Sequence, residues 1–390
     1  MAAVNRRRFL QAGGVGAGFG VALASEALGK NSLSSAEAPD TEERVIRLSG
    51  DGLGLTPAQY SRLLTRLLDE KSMTPDSYTL GGVVEELETE FARILGKERA
   101  IFMPTGTLAN HMAVRALAGG PSRVIVQEDS HFYQDEGDCA QTLSNLTLIP
   151  LAPGKATFTA DAVQQVLDTT KGARVVRKVS VIAIETPVRR KAGESFDAAE
   201  MKRIVALAGR EGIRLHLDGA RLFLQAAYTG ENIIETAKMF DTVYVSLYKY
   251  FNAASGAILA GPRSLLDDMY HDRRMFGGAL NMAWPFALVA LHNLRGFSVR
   301  YRTAVQTSED FIRGVSGHDR VSVERIPSGT NLFRLRVKGV DAAAFRQRLA
   351  AQGVMLSAPN QNTFLVGVNE TLNRIKSGDL VDAFVRAAGS

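Results

Sequence analysis

The feature that most constrains this chain is an alternation of short β-rich runs with helical patterns between about residues 84 and 260. Ala100–Met103, Val124–Val126, Val179–Ile184, Ile213–Leu217, Thr242–Leu247 and Ala257–Ala260 read as strands. Val84, Leu87, Phe91, Ile94 and Leu95 have helical spacing, and Gly96 ends that helix at the C′ position. Asp197–Arg210 reads as a helix, with Asp197 as N-cap and Glu200 as its reciprocal capping partner. Strands that alternate with helices need right-handed crossovers, which yield a largely parallel sheet. Ligands of such sheets bind at the carboxyl ends of the strands. The residues that terminate the strands are therefore the candidates for chemistry.

After about Arg295 the pattern changes. Val321–Ile326 and Leu332–Val337 read as adjacent strands, Asp341–Gln352 as a helix, Thr363–Val368 as a strand and Leu380–Ala388 as a helix. That is a small α+β domain. The expected organisation is a large domain over 44–295 and a small C-terminal domain over 296–390. The 390 residues suffice for both cores. A net charge of +5, part of it in Arg6, Arg7 and Arg8, gives no basic stripe, so no nucleic-acid partner is expected. Cys139 is the single cysteine, which excludes an intramolecular disulfide.

The N-terminus reads as an address. Asn5–Gln11 is N-R-R-R-F-L-Q, an apolar Gly/Ala-rich run follows from Ala12 to Ala24, and Ala22-Leu23-Ala24 offers a cleavage site. The run is about 13 residues, too short to span a bilayer, so no stable membrane insertion is expected. Paired arginines before Phe9 and Leu10 resemble a twin-arginine signal. The expectation is a signal peptide over 1–24, a linker over 25–43, use of the twin-arginine export machinery, and a periplasmic or exported destination. The bland alternatives are a disordered basic start or an ordinary secretion signal.

Two strand ends carry the chemistry. His216-Leu217-Asp218-Gly219-Ala220-Arg221 closes one strand on an aspartate, and Val245-Ser246-Leu247-Tyr248-Lys249 closes another on a lysine. Taken singly, Asp218 reads as a helix N-cap and Lys249 as a solvated surface lysine. Taken together they match pyridoxal phosphate, which needs a lysine for an imine and an acid to keep its ring nitrogen protonated. Met103-Pro104-Thr105-Gly106-Thr107-Leu108-Ala109-Asn110 is a strand, a Gly/Thr turn and a helix start, where free N–H groups bind phosphate. Alone it is a capped helix start. His131, after the strand ending near Val126, offers a flat imidazole, although a lone histidine is ordinarily a surface or packing residue.

These motifs together resemble the threonine aldolase and β-eliminating lyase family of pyridoxal-phosphate enzymes, from about Leu48 to Leu294. The similar segments are Ile101–Asn110, the Glu128–His131 stretch E-D-S-H, His216–Arg221, and Ser246–Lys249 followed by Gly256–Gly261. Tyr78 matches the tyrosine of an active-site loop. The resemblance implies an aspartate-aminotransferase-like large domain (pyridoxal-phosphate fold type I, α/β, mostly parallel sheet) and pyridoxal 5′-phosphate as cofactor. It implies Lys249 as the Schiff-base lysine, Asp218 against the pyridinium nitrogen, and His131 stacked on the ring. Gly106 and Thr107 would hold the phosphate, Arg221 and Tyr78 would bind substrate, and Glu185 would order the site. No metal is implied. A homodimer or homotetramer is, with Tyr78 and the segment near Arg274–Asn281 reaching across.

Two departures stand out. Asn362–Gly367 lacks the arginine that the family places in a small-domain strand, and Asn281 follows Gly277-Gly278-Ala279-Leu280 where the family tends to have an arginine. The expected activity is cleavage of the Cα–Cβ bond of β-hydroxy-α-amino acids, a small-molecule substrate class, to an aldehyde and glycine. The alternatives are β-elimination or transamination on the same cofactor, or cofactor binding without catalysis.

Overall fold

A computed structural model of the protein describes residues 44–70 and 72–389. The expected signal peptide and linker lie outside the described residues. The strands are β1 (Ile46–Arg47), β2 (Arg99–Met103), β3 (Arg123–Gln127), β4 (Thr147–Leu151), β5 (Val179–Glu185), β6 (Arg214–Asp218), β7 (Thr242–Ser246), β8 (Ala257–Gly261), β9 (Val321–Arg325), β10 (Leu332–Val337), β11 (Val354–Met355) and β12 (Thr363–Gly367).

Seven strands form the main sheet, in the order β2-β8-β7-β6-β5-β3-β4. All neighbours are parallel except β8, which runs against both β2 and β7. The reversal has a simple cause. Only residues 247–256 join β7 to β8, too few for a helical crossover, so the chain turns back on itself. Helices cover both faces, which is why β5, β7 and β8 are buried at every position and read as unbroken apolar runs. The sequence reading overlooked β4. It carries Pro150, which a sheet tolerates at an edge, and β4 is one of the two edge strands.

Asp197 caps the helix Ala198–Glu211 as expected, accepting from the N–H groups of Ala199 (2.9 Å) and Glu200 (2.8 Å). The reciprocal half of the capping box is absent. Glu200 instead accepts from the N–H of Ala160 at 2.8 Å, and the Asp197 N–H goes to Thr157 Oγ1 at 2.8 Å. Glu200 thus ties its helix to the neighbouring one, Ala160–Lys171.

The C-terminal part contains the antiparallel sheet β12-β10-β9. The short strand β1 pairs in parallel with β11, and Ile46 and Leu48 join the C-terminal apolar cluster. The helix Phe297–Gly314, not foreseen from sequence, links the two cores. Phe297 and Tyr301 pack into the main cluster, while Ala304 and Phe311 pack into the C-terminal one. Among the described residues, no helix is long and apolar enough to cross a membrane.

Candidate active site

The register of the sheet aligns two strand ends with the middle of a third strand. Glu185 of β5 lies opposite Asp218 of β6, and Asp218 lies opposite Tyr244 of β7. Lys249 follows on the loop out of β7, held in place by the fully buried Tyr250 and Phe251, which pack against Phe223 and Phe297. A cavity of about 200 Å³ opens here, lined by Gly106, Thr107, His131, Glu185, Asp218, Arg221 and Lys249. Seven of the eight residues singled out from sequence therefore share one cavity. Tyr78 is not among its lining residues. It is exposed, its N–H donates to the Asn281 carbonyl at 2.9 Å, and the Arg274 guanidinium lies 5.1 Å from its ring centre.

Asp218 is buried, and both carboxylate oxygens are engaged. Oδ2 accepts from Asn110 Nδ2 at 2.8 Å and Oδ1 from the Ala220 N–H at 3.1 Å. It is no helix N-cap, because that position on the helix Leu222–Thr229 belongs to Arg221. Asn110 is the centre of a relay. Its Nδ2 also donates to Glu136 Oε1 at 2.8 Å, and its Oδ1 is 3.0 Å from His216 Nε2. Burial pushes His216 down to about 4, so it is neutral and donates to Asn110.

Glu136 is buried too, and burial raises its carboxyl to about 6. Its Oε1 lies 2.9 Å from His131 Nδ1. That hydrogen bond raises the His131 imidazole against the opposing effect of burial. Donor atoms of His131, Glu136 and Asp218 lie within 4.8 Å of one another. Asn110 Nδ2 donates to both carboxylates and so supplies positive hydrogen-bond character between them. Glu185 closes the other side. Its carboxylate accepts from the backbone N–H groups of His131 (2.6 Å) and Arg189 (2.9 Å), while Gln127 pairs with its main chain. Burial, then Asp218, raises its carboxyl.

Lys249 makes no side-chain hydrogen bond or ion pair among the described residues. Its Nζ lies 5.4 Å from the Tyr248 ring centre and 5.9 Å from that of Tyr244. Burial, then the Arg221 cation, lowers its amine to about 8. Such an amine is neutral often enough near neutral pH to act as a nucleophile. Arg221 is held by Asp51, whose Oδ2 accepts from Nε at 2.9 Å and forms an ion pair with Nη2 at 2.9 Å. Asp51 accepts in turn from Asn331 Nδ2 at 3.1 Å.

At the phosphate end, Thr105 takes the Leu108 N–H on its hydroxyl and the Ala109 N–H on its carbonyl. The N–H groups of Gly106 and Thr107 have no protein acceptor among the described residues. Gly106 is required by packing, since a Cβ there would sit 2.1 Å from Tyr244 Oη. A half-buried unpaired lysine, a fixed carboxylate and free N–H groups at a helix start are the donor set that pyridoxal 5′-phosphate requires, so the residues fit it. Asp51, Asn110, Glu136, Arg189 and Tyr248 belong to the site and were not singled out from sequence. Only Asn110 had a usable signal, four residues after Gly106 on the same helix face.

Comparison with known proteins agrees with this geometry. A low-specificity L-threonine aldolase from Arabidopsis thaliana is 22% identical over 73% of this chain and 81% of its own length. A low-specificity L-threonine aldolase from Candida albicans is 28% identical over 53% of this chain, and the match spans 55% of that relative. A solved structure from Listeria monocytogenes EGD-E, assigned as an L-allo-threonine aldolase, superposes with a TM-score of 0.72 at 26% identity, covering 89% of this chain and 97% of that one. The family model described as beta-eliminating lyase matches residues 70–337, and the chain belongs to that family of pyridoxal-phosphate enzymes.

Proposed function

We propose that this lyase cleaves the Cα–Cβ bond of β-hydroxy-α-amino acids to an aldehyde and glycine, in the manner of a low-specificity threonine aldolase. The observation that carries this reading is that His131 lines the cavity with Lys249 and Asp218 while its Nδ1 is backed, 2.9 Å away, by the buried Glu136 carboxylate. When bound, pyridoxal phosphate supplies the electron sink for the cleavage. Lys249, whose amine has no other hydrogen-bond or ion-pair partner among the described residues, would hold the cofactor. Asp218, fixed by Asn110 and the Ala220 N–H, stabilises a proton on the ring nitrogen. Arg221, oriented by Asp51, presents its remaining N–H groups to the substrate carboxylate. With Glu136 ionised, His131 carries its proton on Nδ1, and Nε2 takes the proton from the β-hydroxyl as the carbon–carbon bond breaks.

A product screen of the purified protein, loaded with cofactor and given β-hydroxy amino acids, tests the reading. Aldehyde with equimolar glycine supports it. Ammonia with a keto acid indicates β-elimination instead, and bound cofactor without turnover indicates a non-catalytic protein. We also propose that the chain works as a homodimer or homotetramer and is exported by the twin-arginine route. Replacing Arg6 and Arg7 with lysine is expected to retain the protein in the cytoplasm.

A further inference from the structure

Four residues line both the 200 Å³ cavity and a second one of about 710 Å³ that adjoins it: Arg189, Arg221, Tyr248 and Lys249. The larger space adjoins the lysine and is open to a substrate side chain. Two guanidinium groups, from two different segments, flank that junction. Arg221 is already neutralised in part by Asp51. Arg189 is not.

Arg189, Arg190 and Lys191 form one short 3-10 turn, and they are used differently. Arg190 pairs with Asp135, at 3.1 Å through Nε and 2.6 Å through Nη2. Lys191 Nζ donates to the Gly154 carbonyl at 2.6 Å. The Arg189 side chain makes no hydrogen bond or ion pair among the described residues. Its main chain, however, is anchored, because its N–H donates to Glu185 Oε1 at 2.9 Å. The same carboxylate accepts from the His131 backbone N–H at 2.6 Å, so one buried group fixes the main chain of both Arg189 and His131 at the cavity. The Tyr248 ring stands over Lys249 Nζ at 5.4 Å. Burial raises its phenol, and the cations of Arg221 and Arg189 act against that rise, so both charges face the ring beside the reacting lysine.

We propose that Arg189 is a specificity-determining residue that binds a second carboxylate, so that the preferred substrates are dicarboxylic β-hydroxy amino acids, with the α-carboxylate on Arg221 and the side-chain carboxylate on Arg189. A guanidinium with its fork unused, on an anchored backbone and at the mouth of the side-chain space, suits a planar anion. A neutral side chain would forgo those charge-assisted hydrogen bonds.

This inference rests on the reading of the cavity as an amino-acid lyase site, and the test separates the two. Calorimetry on the full chain loaded with cofactor compares succinate with butyrate. Succinate is expected to bind about tenfold to a hundredfold more tightly, the range for a hydrogen-bonded charge pair. Arg189→Gln is expected to abolish that preference, and Arg189→Lys to restore part of it. Arg189 is exposed, and a circular dichroism melt checks that each variant is folded. In turnover, Arg189→Gln is expected to lower the ratio of kcat/KM for dicarboxylic over neutral β-hydroxy substrates by the same factor, through KM. Equal binding of succinate and butyrate, or a preference that survives Arg189→Gln, overturns the proposal. Aldehyde and glycine formed from neutral substrates with no succinate preference leaves the lyase reading standing and removes this one. An Arg189-dependent succinate preference without any cleavage product does the reverse.

Discussion

His131 Nδ1 sits 2.9 Å from Glu136 Oε1, and the glutamate is sealed from solvent beneath it. Hydrogen bonding to Glu136 raises His131, and burial raises Glu136 to about 6. The active form has a neutral imidazole, so activity is lost as pH falls through the raised histidine value. Glu136→Gln removes the anion that favours the imidazolium, and the acid limb of kcat/KM is expected to move to lower pH by about one unit or more. A limb that stays in place would show that Glu136 does not govern the base.

Lys249 is held at about 8 by burial first and the Arg221 cation second. Borohydride reduction of the holoprotein is expected to fix the cofactor on Lys249, with no adduct in Lys249→Ala. Arg221→Gln removes a repelling charge and leaves Asp51 unpaired nearby. Both changes favour the ammonium, so the pH midpoint for covalent attachment is expected to rise by about one unit. A midpoint that is unchanged or lower contradicts the assigned coupling.

Asp218→Asn keeps shape and can keep the hydrogen bond to Ala220, but it loses the charge. Loss of a preorganised electrostatic group at the reacting centre costs about a hundredfold or more in kcat. Cofactor content and melting temperature are expected to change little by comparison. Near-normal turnover in a variant with full cofactor occupancy would remove Asp218 from its role.

The alternation of strands and helices made the main sheet legible, because a sheet covered on both faces writes itself as apolar runs. What was not legible depended on distance along the chain. Asp51 and Arg221 are far apart in sequence and meet only after folding. Glu136 lies five residues past His131 with no pattern around it, and its meaning comes from Asn110, which reaches it from another helix. The Glu200 capping box was a local inference that a tertiary contact to Ala160 overrode. Tyr78, expected to reach across to a neighbouring copy, does not line the cavity of its own chain.

Tyr78 leads to the last prediction. It and Thr79 have positive φ values of 53° and 62°, and Asp76 holds the turn by accepting from the Thr79 N–H at 2.9 Å. The turn pushes side chains outward, leaving Tyr78 42% and Leu80 51% exposed. The segment it contacts through Asn281 carries Met275 and Met282, which are 65% and 54% exposed. Apolar side chains clustered this way mark an interaction surface, and closed two-fold pairing with a second copy is the common arrangement. In such a pair Tyr78 and Arg274 would serve the neighbour's cavity rather than their own. The double variant Leu80→Glu, Met275→Glu puts charges on the proposed interface without touching the cavity-lining residues. It is expected to shift the protein to a monomer in sedimentation equilibrium and to lower activity, while helical content by circular dichroism is kept. A wild-type monomer with full activity, or a double variant that is monomeric and undiminished in turnover, would show that one chain completes its own site.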